Sequence, residues 1–306
     1  MNILGKRYWY FALSLLIIIP GMILIATGGL PLSIDFTGGS ILELRFAGEN
    51  PAPADVVAVY ENLGVEDVQV QTTSTGTLQI RSSALDEAAS VEIQNALKER
   101  FGDVTVERFD TVGPSIGREV TQRAGLAVGF AALAVVIYIT YTFRGLTHAS
   151  RYGVIAIIAM VHDVAIVMAV TAIGGRFWGW QVDSLFLTAL LTVIGFSVQD
   201  KIVVFDRIRE NSNIYRKLSF ETLANHSIIQ TLQRSINTQL MTVEFMLLAL
   251  ALFGGITLRE FAVILLIGLF SGTYSSIFIA APILVVWENK EWQTWFRRRD
   301  EPTTIS

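Results

Sequence analysis

The 306-residue chain contains no cysteine. That absence excludes disulfides, thiolate chemistry and cysteine-ligated metals. Its three histidines, His148, His162 and His226, are widely spaced and fit no metal-ligand pattern. No P-loop is present, so ATP hydrolysis by this chain is not expected. No catalytic constellation, cofactor motif or metal site is read from the sequence, and no enzyme activity is expected. Charge is also scarce. Asp, Glu, Lys and Arg make up 16% of the residues, against about 25% in an ordinary soluble domain. The net charge of −4 gives no electrostatic footprint for nucleic acid.

What the chain has instead is apolar length. Hydrophobic residues make up 52% of it. They gather into six long runs, five of them within residues 124–287. Charged residues sit inside these runs: Asp163 near the middle of one, Asp200 and Lys201 in another, Glu244 in a third. A carboxylate at the bilayer centre costs roughly 2.5–3.5 kcal/mol on insertion scales, so it normally faces a bundle interior. The sequence therefore reads as an integral membrane protein with an internal polar network. Moving a cargo, coupling to an ion gradient and membrane chemistry are the functions that remain.

The first run, residues 9–27, follows Lys6 and Arg7. It is long enough to span a bilayer and longer than a signal-peptide core, although Ala26-Thr27-Gly28 resembles a cleavage site. An uncleaved anchor is expected. Residues 28–118 are polar and mixed and read as a separate domain. Strands are expected within 33–46 and over 67–72, 77–82 and 103–112, with a turn at 74–76 and helices over 54–63 and 85–101. This βαββαβ order is that of a ferredoxin-like split motif, an α+β fold. Five more spans are expected near residues 125–143, 153–173, 185–205, 240–253 and 261–287.

Basic residues set the expected orientation. Lys6 and Arg7, Arg144 and Arg151, the segment 206–239, and Lys290 with Arg297, Arg298 and Arg299 all fall on one side. The short linkers of the other side hold only Arg176 and Arg259. The positive-inside rule then places residues 1–8 and the tail 288–306 in the cytoplasm, the 28–118 domain outside, and 119–287 as a five-helix membrane bundle. Trp178 and Trp180 fit an outer aromatic belt. One span, a large external domain and five further spans resemble one half of the resistance–nodulation–division (RND) plan, which leaves a second half to another polypeptide.

Three stretches resemble the SecF family of bacterial protein-export subunits, part of the SecD/SecF group. They are Asp35-Phe36-Thr37-Gly38-Gly39, the run from Val193 to Asn211 centred on Gln199-Asp200-Lys201, and Thr231 to Thr238. Val112-Gly113-Pro114 and His162-Asp163-Val164 also resemble it. The resemblance implies a bacterial inner-membrane subunit that pairs with SecD. It further implies association with the SecY-E-G channel, YidC and YajC, and contact with unfolded preprotein and lipid. The implied role is late translocation driven by the proton-motive force, without ATP. Half of another RND-type transporter, or a translocon scaffold without ion coupling, are the alternatives.

The resemblance makes Asp200 the prime proton-carrying acid, against a helix-end carboxylate paired with Lys201 or Arg207. Arg234 reads either as a snorkelling arginine or as the counter-charge of Asp200. Asp163 reads as a structural hydrogen-bonded acid or a relay member, with His162 turned about 100° away from it. Lys201 departs from the family pattern; it either shares a pocket with Asp200 or snorkels. Asp35, Phe36, Thr37, Gly38 and Gly39 read as a hinge or a plain turn, because paired glycines allow positive φ. Gly195 and Ser197 are expected to loosen their helix or admit a neighbour.

Overall fold

The computed structural model describes residues 2–73, 76–144, 149–239 and 245–295. Ser74 and Thr75 of the expected turn, His148, Glu244 and the tail arginines 297–299 lie outside the described residues. From the N-terminus the elements are α1 (Arg7–Gly28), a short α2 (Ile34–Thr37), β1 (Gly39–Phe46), α3 (Pro53–Asn62), β2 (Gln69–Thr72), β3 (Leu78–Ser82), α4 (Glu87–Phe101) and β4 (Val104–Val112). The long helices follow: α5 (Pro114–Thr142), α6 (Ala149–Trp178), α7 (Ser184–Ile214) and α8 (Phe220–Gln239). Then come α9 (Phe245–Phe253), α10 (Ile256–Ser275), a π turn over Ser276–Ala280, and α11 (Ala281–Glu288). The residues divide into two compact units, one of Met1–Gly29, Phe130–Ile173 and Thr188–Ser306, the other of Leu30–Gly129 and Gly174–Leu187.

The second unit is built on a four-stranded antiparallel sheet in the order β2-β3-β1-β4. Leu42 of β1 stands opposite Ile80 on one side and Phe109 on the other. Helices α3 and α4 contribute Val56, Val59, Tyr60, Ile93 and Leu97 to one core with Leu42, Leu44, Phe46, Leu78 and Ile80. Local chemistry trims the expected boundaries. Pro53 takes the first turn of α3, where its missing N–H costs nothing. The Asp86 side chain accepts from the Ala89 N–H at 2.8 Å, so α4 starts at Glu87 rather than 85. Asp67 adopts φ +57°, which delays β2 to Gln69.

Among the described residues, five helical stretches are long and apolar enough to cross a membrane: Leu4–Gly28, Pro114–Thr142, Ser150–Trp178, Ser184–Ile214 and Leu258–Glu288. The span expected at 240–253 is only partly described, as α8 and the nine-residue α9 on either side of residues 240–244. Inside the last stretch the π turn precedes Pro282. Proline lacks an N–H and crowds the carbonyl four residues back; a widened turn relieves both faults.

Helices of the first unit approach closely where glycine removes a side chain. A Cβ on Gly268 of α10 would lie 2.1 Å from Val193 of α7. One on Gly272 would lie 3.3 Å from the Ser197 Cα. One on Gly21 of α1 would lie 2.2 Å from Ala169 of α6. Small residues at such spacing are the usual means of packing helices in lipid, where dispersion must replace the hydrophobic drive.

Candidate functional site

The close approach of α10 to α7 brings a line of hydroxyls onto Asp163 of α6. Asp163 is fully buried. The Ser271 hydroxyl donates to its Oδ1 at 2.8 Å, and Ser197 and Ser275 donate to Oδ2 at 2.6 and 2.7 Å. The Lys201 ammonium, also fully buried, donates to the same Oδ2 at 2.7 Å. It also reaches the Ser197 carbonyl at 3.1 Å and the Ser197 Oγ. An ammonium has three N–H donors, and these three acceptors satisfy it. A buried ion pair survives desolvation only when its remaining polar positions are filled in this way.

His162 shares this site, although its offset of about 100° did not require it to. Its Nδ1 lies 3.1 Å from Asp163 Oδ1, while its buried Nε2 has no hydrogen-bond partner among the described residues. Lys201 neither snorkels nor bonds Asp200. One residue along a helix turns the side chain about 100°, and that turn faces Lys201 toward α6.

Asp200 is 8% exposed and faces α8 and α10. The Ser235 hydroxyl donates to its Oδ1 at 3.3 Å. Its Oδ2 is buried and accepts no hydrogen bond among the described residues. The hydroxyls of Thr273 and Ser276, which donate to the carbonyls of Leu269 and Thr273, also lie close enough to act on the acid. Arg207 does not pair with Asp200; it bonds Gln230 and Glu210. Arg234 is exposed, and it is the next residue, Ser235, that meets the acid. The structure thus joins Asp163 with Lys201 and keeps Arg234 apart from Asp200. Sequence reasoning missed Ser271 and Ser275; their signal was the small-residue pattern Gly268, Ser271, Gly272, Ser275 along one face of an apolar run.

A second constellation surrounds Asp35-Phe36-Thr37-Gly38-Gly39. Ser33 caps α2 by accepting from the Asp35 N–H at 3.2 Å. Gly38 and Gly39 have φ of +74° and +116°, and a Cβ on Gly39 would lie 2.7 Å from the Ser82 carbonyl oxygen. Both positions therefore need glycine. Asp35 Oδ2 accepts from the backbone N–H and the hydroxyl of Ser184 at 3.0 and 2.7 Å. Asp183 Oδ1 accepts from the Phe186 N–H at 2.7 Å. Two carboxylates thus hold the amino end of α7, where the helix dipole favours negative charge. Burial pushes the Asp183 carboxyl up from its ordinary value, against the Phe186 N–H, and nearby Asp35 pushes the same way.

These features define a class: a multi-pass membrane protein whose helix bundle encloses an ionic network. A family model described as "Protein export membrane protein SecD/SecF, C-terminal" matches residues 92–290, and one described as "SecD/SecF GG Motif" matches residues 23–48. The chain is 67% identical over 306 residues to the protein translocase subunit SecF of Anaerolinea thermophila, covering 99% of both chains. It is 45% identical to the SecF of Thermobaculum terrenum, covering 98% of both. The crystal structure of SecDF, a translocon-associated membrane protein from Thermus thermophilus, matches 94% of this chain at 33% identity with a TM-score of 0.80. This chain spans 39% of the length of that one. A SecDF structure in a super-membrane-facing form matches with a TM-score of 0.67. The chain belongs to the SecD/SecF family of protein export membrane proteins, among its SecF members.

Proposed function

We propose that the protein is a SecF-type subunit of the bacterial export machinery. It acts in the inner membrane with a SecD partner and promotes the late, ATP-independent movement of preprotein at the expense of the proton-motive force. Asp200 is the proton-carrying acid. One observation carries this reading: of the two acids buried among the described residues of the first unit, Asp163 is already neutralised by Lys201, whereas the buried Oδ2 of Asp200 accepts no hydrogen bond among the described residues. A proton added at that oxygen removes a charge from low dielectric, and its loss restores one; either change biases the packing of α7 against α8 and α10. Asp163 then serves as the fixed charge of the bundle rather than as a carrier.

Arg234 enters this scheme through a second arrangement of α8. It precedes Ser235, so a rotation of about 100° exchanges serine for guanidinium on the face toward Asp200. The finer architecture is part of the same proposal. Helices α8 and α9 together supply a sixth span, and the sheet unit, with its βαββαβ order, is a ferredoxin-like external domain. Both termini are cytoplasmic by the positive-inside count. SecY-E-G, YidC, YajC and unfolded preprotein are the remaining partners. Asp35, Phe36, Thr37, Gly38 and Gly39 form the hinge at the domain's start.

Export into inverted vesicles, with ATP present and with or without an uncoupler, tests the scheme. Asp200→Asn, which keeps shape and loses titration, leaves assembly intact and abolishes the uncoupler-sensitive part of export. If the variant still loses export on adding uncoupler as the wild type does, Asp200 is not the coupling acid.

A further inference from the structure

The surroundings of the Lys201 ammonium are made of oxygen. Nζ contacts Asp163 Oδ2, the Ser197 carbonyl and the Ser197 hydroxyl. Ser275 lies on the same carboxylate oxygen, and Ser271 on the other. All five residues are buried. The ring nitrogen at the site, His162 Nδ1, faces Oδ1 rather than the oxygen that holds the ammonium. A carboxylate, hydroxyls and a main-chain carbonyl converging inside a membrane bundle are the donors that replace the hydration shell of a hard monovalent cation.

We infer that Asp163 and Ser197, with Ser275 steadying the carboxylate, form an alkali-cation site whose resident cation is the protein's own Lys201 ammonium. The tether keeps the site filled at every ion concentration. Asp163 therefore holds its charge with no ion drawn from solution, and the native protein is indifferent to sodium. Shortening the lysine removes the resident charge, and the oxygens that faced it are left to accept sodium.

The test is thermal unfolding of the purified full chain in NaCl, KCl and choline chloride at equal ionic strength, with radioactive sodium binding as a second readout. The wild type is expected to melt at one temperature in all three salts and to bind no sodium. Lys201→Ala is expected to melt lower in choline chloride and to regain stability with rising NaCl, as linkage requires of a ligand bound only by the folded state. Lys201→Thr, which adds an oxygen, is expected to bind sodium more tightly. Lys201→Ala combined with Asp163→Asn is expected to lose the sodium response. A sodium-specific shift in the wild type, or Lys201→Ala and Lys201→Thr proteins that respond equally to all three salts, overturns the inference. The wild-type arm can overturn the inference even if the lysine variants fail to fold. Because the readout is ion binding rather than export, the result is separate from the role of Asp200.

Discussion

At the scale of single residues, the Asp163–Lys201 pair is fully buried on both sides. Losing one partner of a buried ion pair typically costs about 3–5 kcal/mol, because the survivor stays charged and unpaired. Asp163→Asn alone is expected to lower the melting temperature in this way. Adding Lys201→Met is expected to recover most of the loss, which a double-mutant cycle would measure. The carboxyl of Asp183 gives a pH-dependent prediction. Its native pKa lies above the ordinary value, so the ionised form costs stability, and that cost vanishes as pH falls through the raised value. Asp183→Asn keeps the acceptor for Phe186, so it is expected to be neutral or stabilising at neutral pH, with the difference from wild type fading in acid. Charged positions inside apolar runs were visible in the sequence. Their partners were not, since Lys201 reaches an acid 38 residues away and the choice between Asp163 and Asp200 depends on helix rotation.

At the scale of elements, the glycines of α10 decide whether that helix can approach α7. Gly268→Val sets new atoms against Val193, where even a Cβ would sit 2.1 Å away. The expected loss is on the order of 1–3 kcal/mol by overpacking, read as a lower melting temperature. Gly272→Ala, with 3.3 Å to the Ser197 Cα, is expected to cost less. The clasp on α7 makes a matching pair of variants. Asp35→Ala removes two hydrogen bonds from Ser184 and is expected to cost about 0.5–2 kcal/mol, as for a helix cap. Asp35→Asn keeps an acceptor and is expected to lose less. Helix and strand order was legible because periodicity is a local property. The partner of Asp35 was not, because nothing near residue 35 announces residue 184. Likewise, α5 begins at Pro114 rather than 125 because polar turns bearing the Glu119–Arg123 pair continue the helix without an apolar signal.

At the scale of the whole molecule, labelling reads sidedness and copurification reads partnership. The absence of cysteine gives a clean background for labelling. Ser90 is 2% exposed and is a poor reporter, whereas Glu92 and Ser219 are exposed. Glu92→Cys is expected to react with a membrane-impermeant thiol reagent applied from outside, and Ser219→Cys to stay unmodified. The reverse pattern would invert the topology. Only 6% of the apolar window of α5 and 11% of that of α1 are buried within this chain. Such faces suit a second half-bundle, and a SecD protein is expected to copurify in mild detergent.

The fastening of the amino end of α1 carries a consequence for biogenesis. Asn225 accepts from the N–H groups of Ile3 and Leu4, and Arg7 of α1 bonds Glu221 and Glu291. Asn225 is 222 residues downstream of Ile3. At about 5–20 residues per second, the ribosome needs on the order of 10–45 s to supply it. Throughout that interval the first span sits in the bilayer with its leading N–H groups waiting for a cap that has yet to be translated. Glu291 arrives later still, so this end of the bundle closes only after the helices between have been made. A nascent chain halted before residue 221 would keep α1 unlatched and free to turn in the lipid.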